Sequence, residues 1–88
     1  MYDLLEKFEN IIILRTVMNE IDLNFIGLND LEHIARVADT CNIDLDVTNF
    51  ETIEYNNQYQ DICDVFDDWY DDVDYMYHDI KNGLLRLI

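Results

Sequence analysis

The sequence predicts a mainly α fold: one acidic domain spanning residues 1 to 88, a bundle of three to four helices, with a short strand pair as an α+β alternative. Three observations carry this expectation. Apolar residues recur at helical spacing in three separate stretches, capping-type signatures stand ahead of such stretches, and the chain has no Pro and only two Gly. Half the residues are hydrophobic, too many for a disordered acidic tail, and 88 residues can bury a modest core without disulfides or metals.

The first helix is expected over residues 3 to 21. Asp3 followed by Glu6 has the form of a capping box, and Leu4, Leu5, Phe8, Ile11, Ile12, Val17, Met18 and Ile21 recur at helical spacing. The β-branched run Ile11 to Ile13 keeps a strand open as the alternative, and its apolar surplus suits either the core or a dimer contact. Asp22 to Leu28, with Asn24 and Gly27, reads as a turn. Asn29 and Glu32 repeat the cap signature ahead of a shorter helix carrying Leu31, Ile34, Ala35, Val37, Ala38 and Cys41, with Asn42 as a left-handed stop. Ile43 to Val47 alternates strictly, the pattern of a short strand or an extended connector.

Thr48 and Glu51 open a third, short helix that ends near Tyr55. It must be separate from the helix after it. On a helical wheel started at Asp61, Phe50 and Ile53 would project to about 340° and 280°, among the acids of that next helix, so the phase breaks at Asn56-Asn57. The last helix is expected from about Tyr59 to Lys81 or Asn82, stopped by Gly83, with the tail LLRLI as a final turn or an edge strand.

Within that helix lies the most unusual stretch, residues 61 to 79, with eight Asp and no Lys, Arg or Glu. Asp61, Asp64, Asp67, Asp68, Asp71, Asp72, Asp74 and Asp79 all fall in an arc from about 220° through zero to about 20°. Ile62, Val65, Phe66, Trp69, Val73, Met76, Tyr77 and Ile80 fill the opposite arc and read as core. Tyr75, at about 320°, and Tyr70, near 180°, stand within or beside the acids and read as interface anchors, beside the blander reading of amphipathic residues at a domain edge.

Local stability does not explain this face. Asp64/Asp68, Asp67/Asp71, Asp68/Asp72, Asp61/Asp64, Asp64/Asp67, Asp68/Asp71 and Asp71/Asp74 are like-charged neighbours. Together they cost an isolated helix roughly 1.5 to 3.5 kcal/mol before salt screening. What the row supplies is dense negative charge along about 27 Å of helix. Duplex DNA offers one phosphate per about 3.4 Å of each strand. The expectation is a surface that imitates a nucleic-acid backbone.

Charge elsewhere agrees. The chain carries 20 acids against five bases, a net charge of −15, far beyond the magnitude of about 2 to 8 that serves solubility. Residues 1 to 40 hold eight acids and three bases (8 − 3, net −5), and residues 41 to 88 hold twelve and two (12 − 2, net −10). So few bases argue against direct nucleic-acid binding, and the acidity argues against anionic membranes. The segment MYDLLEKFEN lacks a basic signal region, and no apolar run approaches the roughly 18 residues of a membrane span. A soluble cytoplasmic protein is expected, with Cys41 and Cys63 as buried reduced thiols.

Enzyme and metal classes find little to stand on. There is no Ser and no Gly-rich phosphate loop. Exposed carboxylates on one face lack the separate environments that drive two pKa values apart for acid–base work. A calcium loop begun at Asp44 places Asp46 correctly but then has Asn49 where Gly is required and Tyr55 where Glu is required. His33, Cys41, Cys63 and His78 lack zinc spacing. No enzyme, metal site or cofactor is expected.

In size, charge and acid patterning the chain resembles the small acidic DNA-mimic inhibitors encoded by phages and mobile elements, which include anti-restriction proteins, some anti-CRISPR proteins and inhibitors of uracil-DNA glycosylase. The Asp61 to Asp79 series carries the resemblance, with Asp44, Asp46, Glu51 and Glu54 as extensions. It implies a partner that is a basic nucleic-acid-binding protein, such as a CRISPR effector or restriction enzyme, blocked in its DNA-binding channel. A second resemblance, of Leu31 to Ile53 to the closing helices of phage-repressor helix-turn-helix domains, implies at most a fold relation. The rival class is an acidic partner subunit or antitoxin that neutralises a basic protein unrelated to DNA.

Overall fold

A computed structural model describes residues 2–56 and 58–87, with Tyr2 described by its backbone alone. Four helices follow one another: α1 (Tyr2–Asn19), α2 (Leu28–Thr40), α3 (Phe50–Asn56) and α4 (Tyr59–Arg86). Among the described residues there is no strand, so Ile11 to Ile13 are helical and the strand-pair alternative falls. No helix there is long and apolar enough to cross a membrane.

α4 is the axis of the molecule. Its 28 residues span about 42 Å at the helical rise, close to the 48 Å long dimension of a rod that measures 21 and 16 Å across. α1 runs antiparallel along it. Leu4 lies against Gly83, Phe8 stacks on Tyr77 with centroids 5.4 Å apart, Arg15 reaches Asp74, and Asn19 accepts from Tyr70. Between them sits one core, made of Ile11, Leu14 and Met18 from α1, Leu31, Ile34 and Ala38 from α2, Ile53 from α3, Ile62, Val65, Phe66, Trp69 and Val73 from α4, with Ile26 and Leu45 from the connections. Burial of these apolar surfaces is what holds a helix whose outer face repels itself.

The core thins toward the C-terminal end of α4. Met76, Tyr77 and Ile80 are only partly buried, because there the main cover is α1 and the turn after α2, which leave an open groove of about 810 Å³. On α1 the apolar surplus divides: Ile11 is core, while Leu5, Ile12 and Ile13 are exposed. Cys41 and Cys63 are free thiols but half-buried, short of the full burial expected of them.

The helix ends differ in detail from the sequence expectations, each for a local reason. Asp3 lies inside the first turn of α1, where its charge suits the helix N-terminus, and does not cap it. α2 begins at Leu28 with extended Gly27 as N-cap, and Asp30, not Glu32, reaches back to accept from the Gly27 N–H at 2.8 Å. Its other end is as expected. Asn42 sits at φ 57, and the N–H groups of Asn42 and Ile43 donate to the carbonyls of Asp39 and Ala38, the paired bonds of a Schellman stop.

Residues 43–47 are a connector without regular secondary structure. Thr48 does not cap α3: its N–H and hydroxyl both donate to Asp46 Oδ1, at 3.0 and 2.7 Å, and the helix starts at Phe50. α3 closes at Asn56, and Gln58 at φ −101, ψ 129 makes the break that the phase argument required; Asn57 lies outside the described residues. Gly83 does not stop α4. The helix continues to Arg86, with Leu87 as its C-cap, so the tail is helix and not an edge strand; Ile88 lies outside the described residues.

Candidate protein-binding face

The acidic row on α4 is divided by what lies beside it. Asp64, Asp67, Asp68, Asp71, Asp72 and Asp79 are exposed, whereas Asp61 and Asp74 are half-buried. Core residues of α4 point the other way, so the fold places all the exposed carboxylates on solvent. Among the described residues, none of these six forms an ion pair. Asp64 accepts from the neutral amide of Gln60, at 3.1 Å.

Asp74 is the exception. Its Oδ1 accepts from Arg15 at 2.8 Å and its Oδ2 lies 3.6 Å from His78 Nε2. The Arg15 guanidinium also stacks over the Tyr77 ring at 4.1 Å, and its Nε is buried there without a hydrogen-bond partner. The His78 ring meets the same tyrosine edge-on, 5.2 Å away. This cluster belongs to the α1–α4 seam. Tyr70 belongs to it too: its hydroxyl donates to Asn19 Oδ1 at 2.9 Å and its ring stacks on Phe66, so this border residue is a seam contact. Sequence reasoning missed the Arg15–Asp74 pair, which joins positions 59 apart that no local pattern connects.

The opposite border extends the acids. Trp69 Nε1 donates to the Asp46 carbonyl at 2.8 Å, and Phe50 packs edge-on against the same indole, 5.4 Å between centroids. These contacts dock the 43–49 connector along α4 and bring Asp46 and Asn49 beside Asp68, Asp71 and Asp72. The result is a notch of about 360 Å³ with Val65 and Trp69 in its lining. Hydrogen bonds first from the Thr48 hydroxyl and then from its N–H hold the Asp46 carboxyl below the usual carboxylate value, so it stays charged beside the row. Asp44, Glu51 and Glu54 are exposed as well.

Tyr75 stands on the acidic side with 73% of its surface exposed. With Asp74 neutralised, seven of the eight aspartates remain over about 27 Å, at a mean interval of about 4.5 Å. That is near the spacing of about 3.4 Å per phosphate along a DNA strand. No group of His, Cys, Asp and Glu among the described residues is arranged to hold a metal ion.

No family model matches the chain, and neither the curated proteins nor the solved structures compared with it yield a match.

Proposed function

We propose that the protein is a DNA-mimic inhibitor that binds and blocks the nucleic-acid-binding site of a host defence or DNA-processing protein, of the anti-CRISPR or anti-restriction kind. The observation that carries the reading is the unpaired outer row of α4: six exposed aspartates, uncompensated among the described residues and continued across the notch by Asp46. A fold that needed only solubility would intersperse the signs. This one keeps its best-placed cation, Arg15, for the inner border.

In this mechanism the carboxylates steer a basic surface into contact and then pair with the Arg and Lys side chains that otherwise hold phosphates. The notch bounded by Asp46, Asp68 and Asp72 admits one such side chain, and Tyr75 offers a ring for a guanidinium to stack on. Blocking is steric and electrostatic, so the proposal assigns no catalytic residue, metal or cofactor. Its site of action is the cytoplasm of the cell that contains the target.

The test is a pull-down from the lysate of a candidate host, each captured protein then challenged with duplex DNA over a salt series. Binding that DNA displaces, and that the Asp68→Lys, Asp71→Lys, Asp72→Lys variant abolishes while remaining helical, is the expected result. Full inhibition by that variant would make the face irrelevant. A partner that stays bound in saturating DNA would instead mark an acidic antitoxin or partner subunit.

A further inference from the structure

Four exposed apolar or aromatic side chains lie on the segments at the end of the rod where α4 begins. The turn after α1 carries Leu23 and Phe25, the latter 83% exposed. Tyr59, the first residue of α4, donates its hydroxyl to the Leu23 carbonyl and so ties the turn to the helix start. Tyr55, 89% exposed, stands four residues earlier, near the close of α3.

Phe25 is held outward by a built turn. The Asn24 N–H donates to Asp22 Oδ1 at 2.9 Å, the Phe25 N–H donates to the Asp22 carbonyl at 3.0 Å, and Ile26 beside it is buried in the core. A ring presented on a fixed backbone loses little freedom on binding, which is the condition for an anchor.

Charge decides what can cover this end. The charged residues along its segments are Glu20 and Asp22 beside the turn, Glu51 and Glu54 on α3, and Asp61 and Asp64 on α4. No Lys or Arg occurs from Thr16 to Ala35 or from Val37 to Ile80, and Arg36 faces Glu32 on α2. A second copy of the chain would press like charges together, and an anionic lipid surface would be repelled. A basic protein is the complementary occupant. The acidic row starts at Asp61, two residues beyond Tyr59, so rings and carboxylates lie in succession along one helix.

We infer that the Leu23–Phe25 turn, with Tyr55 and Tyr59, is an anchoring end that seats in an apolar hollow rimmed by Arg or Lys on the same basic protein that α4 engages. This rests on the DNA-mimic reading and adds to it a source of specificity. Carboxylates attract any cationic surface, whereas buried aromatic anchors fix which surface is kept.

The experiment uses two synthetic peptides of equal length and charge, one alternating Arg with Gly and the other Arg with Leu, titrated into the isotope-labelled full chain by NMR. Both peptides are expected to shift the amides from Asp64 to Asp79. The Arg–Leu peptide alone is expected to shift Asn24 to Ile26 and Tyr59, and to bind roughly tenfold more tightly. The Phe25→Ser, Tyr55→Ser variant should lose that advantage and keep its Arg–Gly affinity, since both side chains are almost wholly outside the core. Equal affinity with an unmoved turn overturns the anchor, as does a dimer in sedimentation that the same variant dissolves. Shifts at the turn without shifts along α4 uphold the anchor and sink the mimic reading; binding of neither peptide sinks both.

Discussion

The two borders of the acidic face on α4 are built in opposite ways. Toward α1, Asp74 is neutralised by Arg15, Tyr77 holds the guanidinium on its ring, and Tyr70 is tied to Asn19. Toward the connector, Trp69 and Phe50 dock a segment that adds another carboxylate, Asp46, to those of Asp68, Asp71 and Asp72. Aromatic contacts hold both borders, so the difference does not lie in whether one is packed. It lies in where the chain places its scarce cations: one seam is closed electrostatically as well as by packing, and the other is closed by Trp69 and Phe50 with, among the described residues, no cation beside its carboxylates. A carboxylate at the first border serves the fold, and carboxylates at the second remain free for a partner.

Removing the indole is the harshest way to break this arrangement. Trp69→Ala should cost about 3 to 5 kcal/mol, as large aromatic truncations in cores do. It should also release the connector, which hydrogen exchange at residues 43–49 would report as early loss of protection. Trp69→Phe should retain most of the stability and lose about 1 kcal/mol with the hydrogen bond to Asp46. If Trp69→Ala left exchange in the connector unchanged, the indole would not be what closes that border.

At the other border, Arg15→Met keeps much of the stem volume while removing the ion pair and the stacking on Tyr77. A loss of about 1 to 2 kcal/mol is expected, modest because Asp74 keeps 37% of its side-chain surface in water. A double-mutant cycle with Asp74→Asn, read by chemical denaturation, should return a coupling near 1 kcal/mol. Neither change should weaken a partner that reads the outer row. A cycle that closes to zero would mean that the two residues are neighbours without being a pair, and Asp74 would then count with the free acids.

How much of this is legible in the chain depends on the range of the interaction. The two faces of α4 follow from spacing alone: Ile62, Val65, Phe66, Trp69 and Val73 are buried opposite the aspartates, as a period of 3.6 requires. The break before α4 is equally visible, because Phe50 and Ile53 would otherwise point into the acids. Caps are misplaced by a residue or two where several short polar side chains compete, as at Asn29, Asp30 and Glu32. Gly83 reads as a stop because propensity speaks only locally; Leu4 of α1 packs beside it, and the helix runs on. The alternation of Ile43, Leu45 and Val47 reports a connector with one buried residue, Leu45, and no strand to pair with among the described residues. Which aspartate meets Arg15, and which peptide carbonyl meets Trp69, are tertiary facts with no local signature.

Neutralising the outer row should separate folding from binding. Asp68→Asn, Asp71→Asn, Asp72→Asn removes five of the seven like-charged neighbour pairs, each worth roughly 0.2 to 0.5 kcal/mol. A gain of about 1 kcal/mol in stability is expected, along with a weaker rise of stability with salt than the parent shows. Loss of partner binding by the same variant would then be a charge effect with no folding component. A variant that proved less stable would mean that the row contributes to the fold and is not merely tolerated by it.

The smallest effect isolates Asp46, the residue that distinguishes the open border. Its carboxyl is held below the ordinary value of 3.8 by the Thr48 hydroxyl and N–H, while the carboxylates that line the notch with it, Asp68, Asp71 and Asp72, are of like sign. A group whose folded pKa is depressed contributes stability above its unfolded value and loses it as pH falls through the folded one. The parent should therefore exceed Asp46→Ala in stability at neutral pH by an amount that holds down to about the ordinary carboxylate value and fades below it. Differences between the two proteins, taken from denaturation at each pH, cancel the larger change caused by protonating the rest of the row. A gap that instead widened in acid would show that repulsion within the notch outweighs the Thr48 hydrogen bonds, and Asp46 would then be held in place by the Trp69 contact alone.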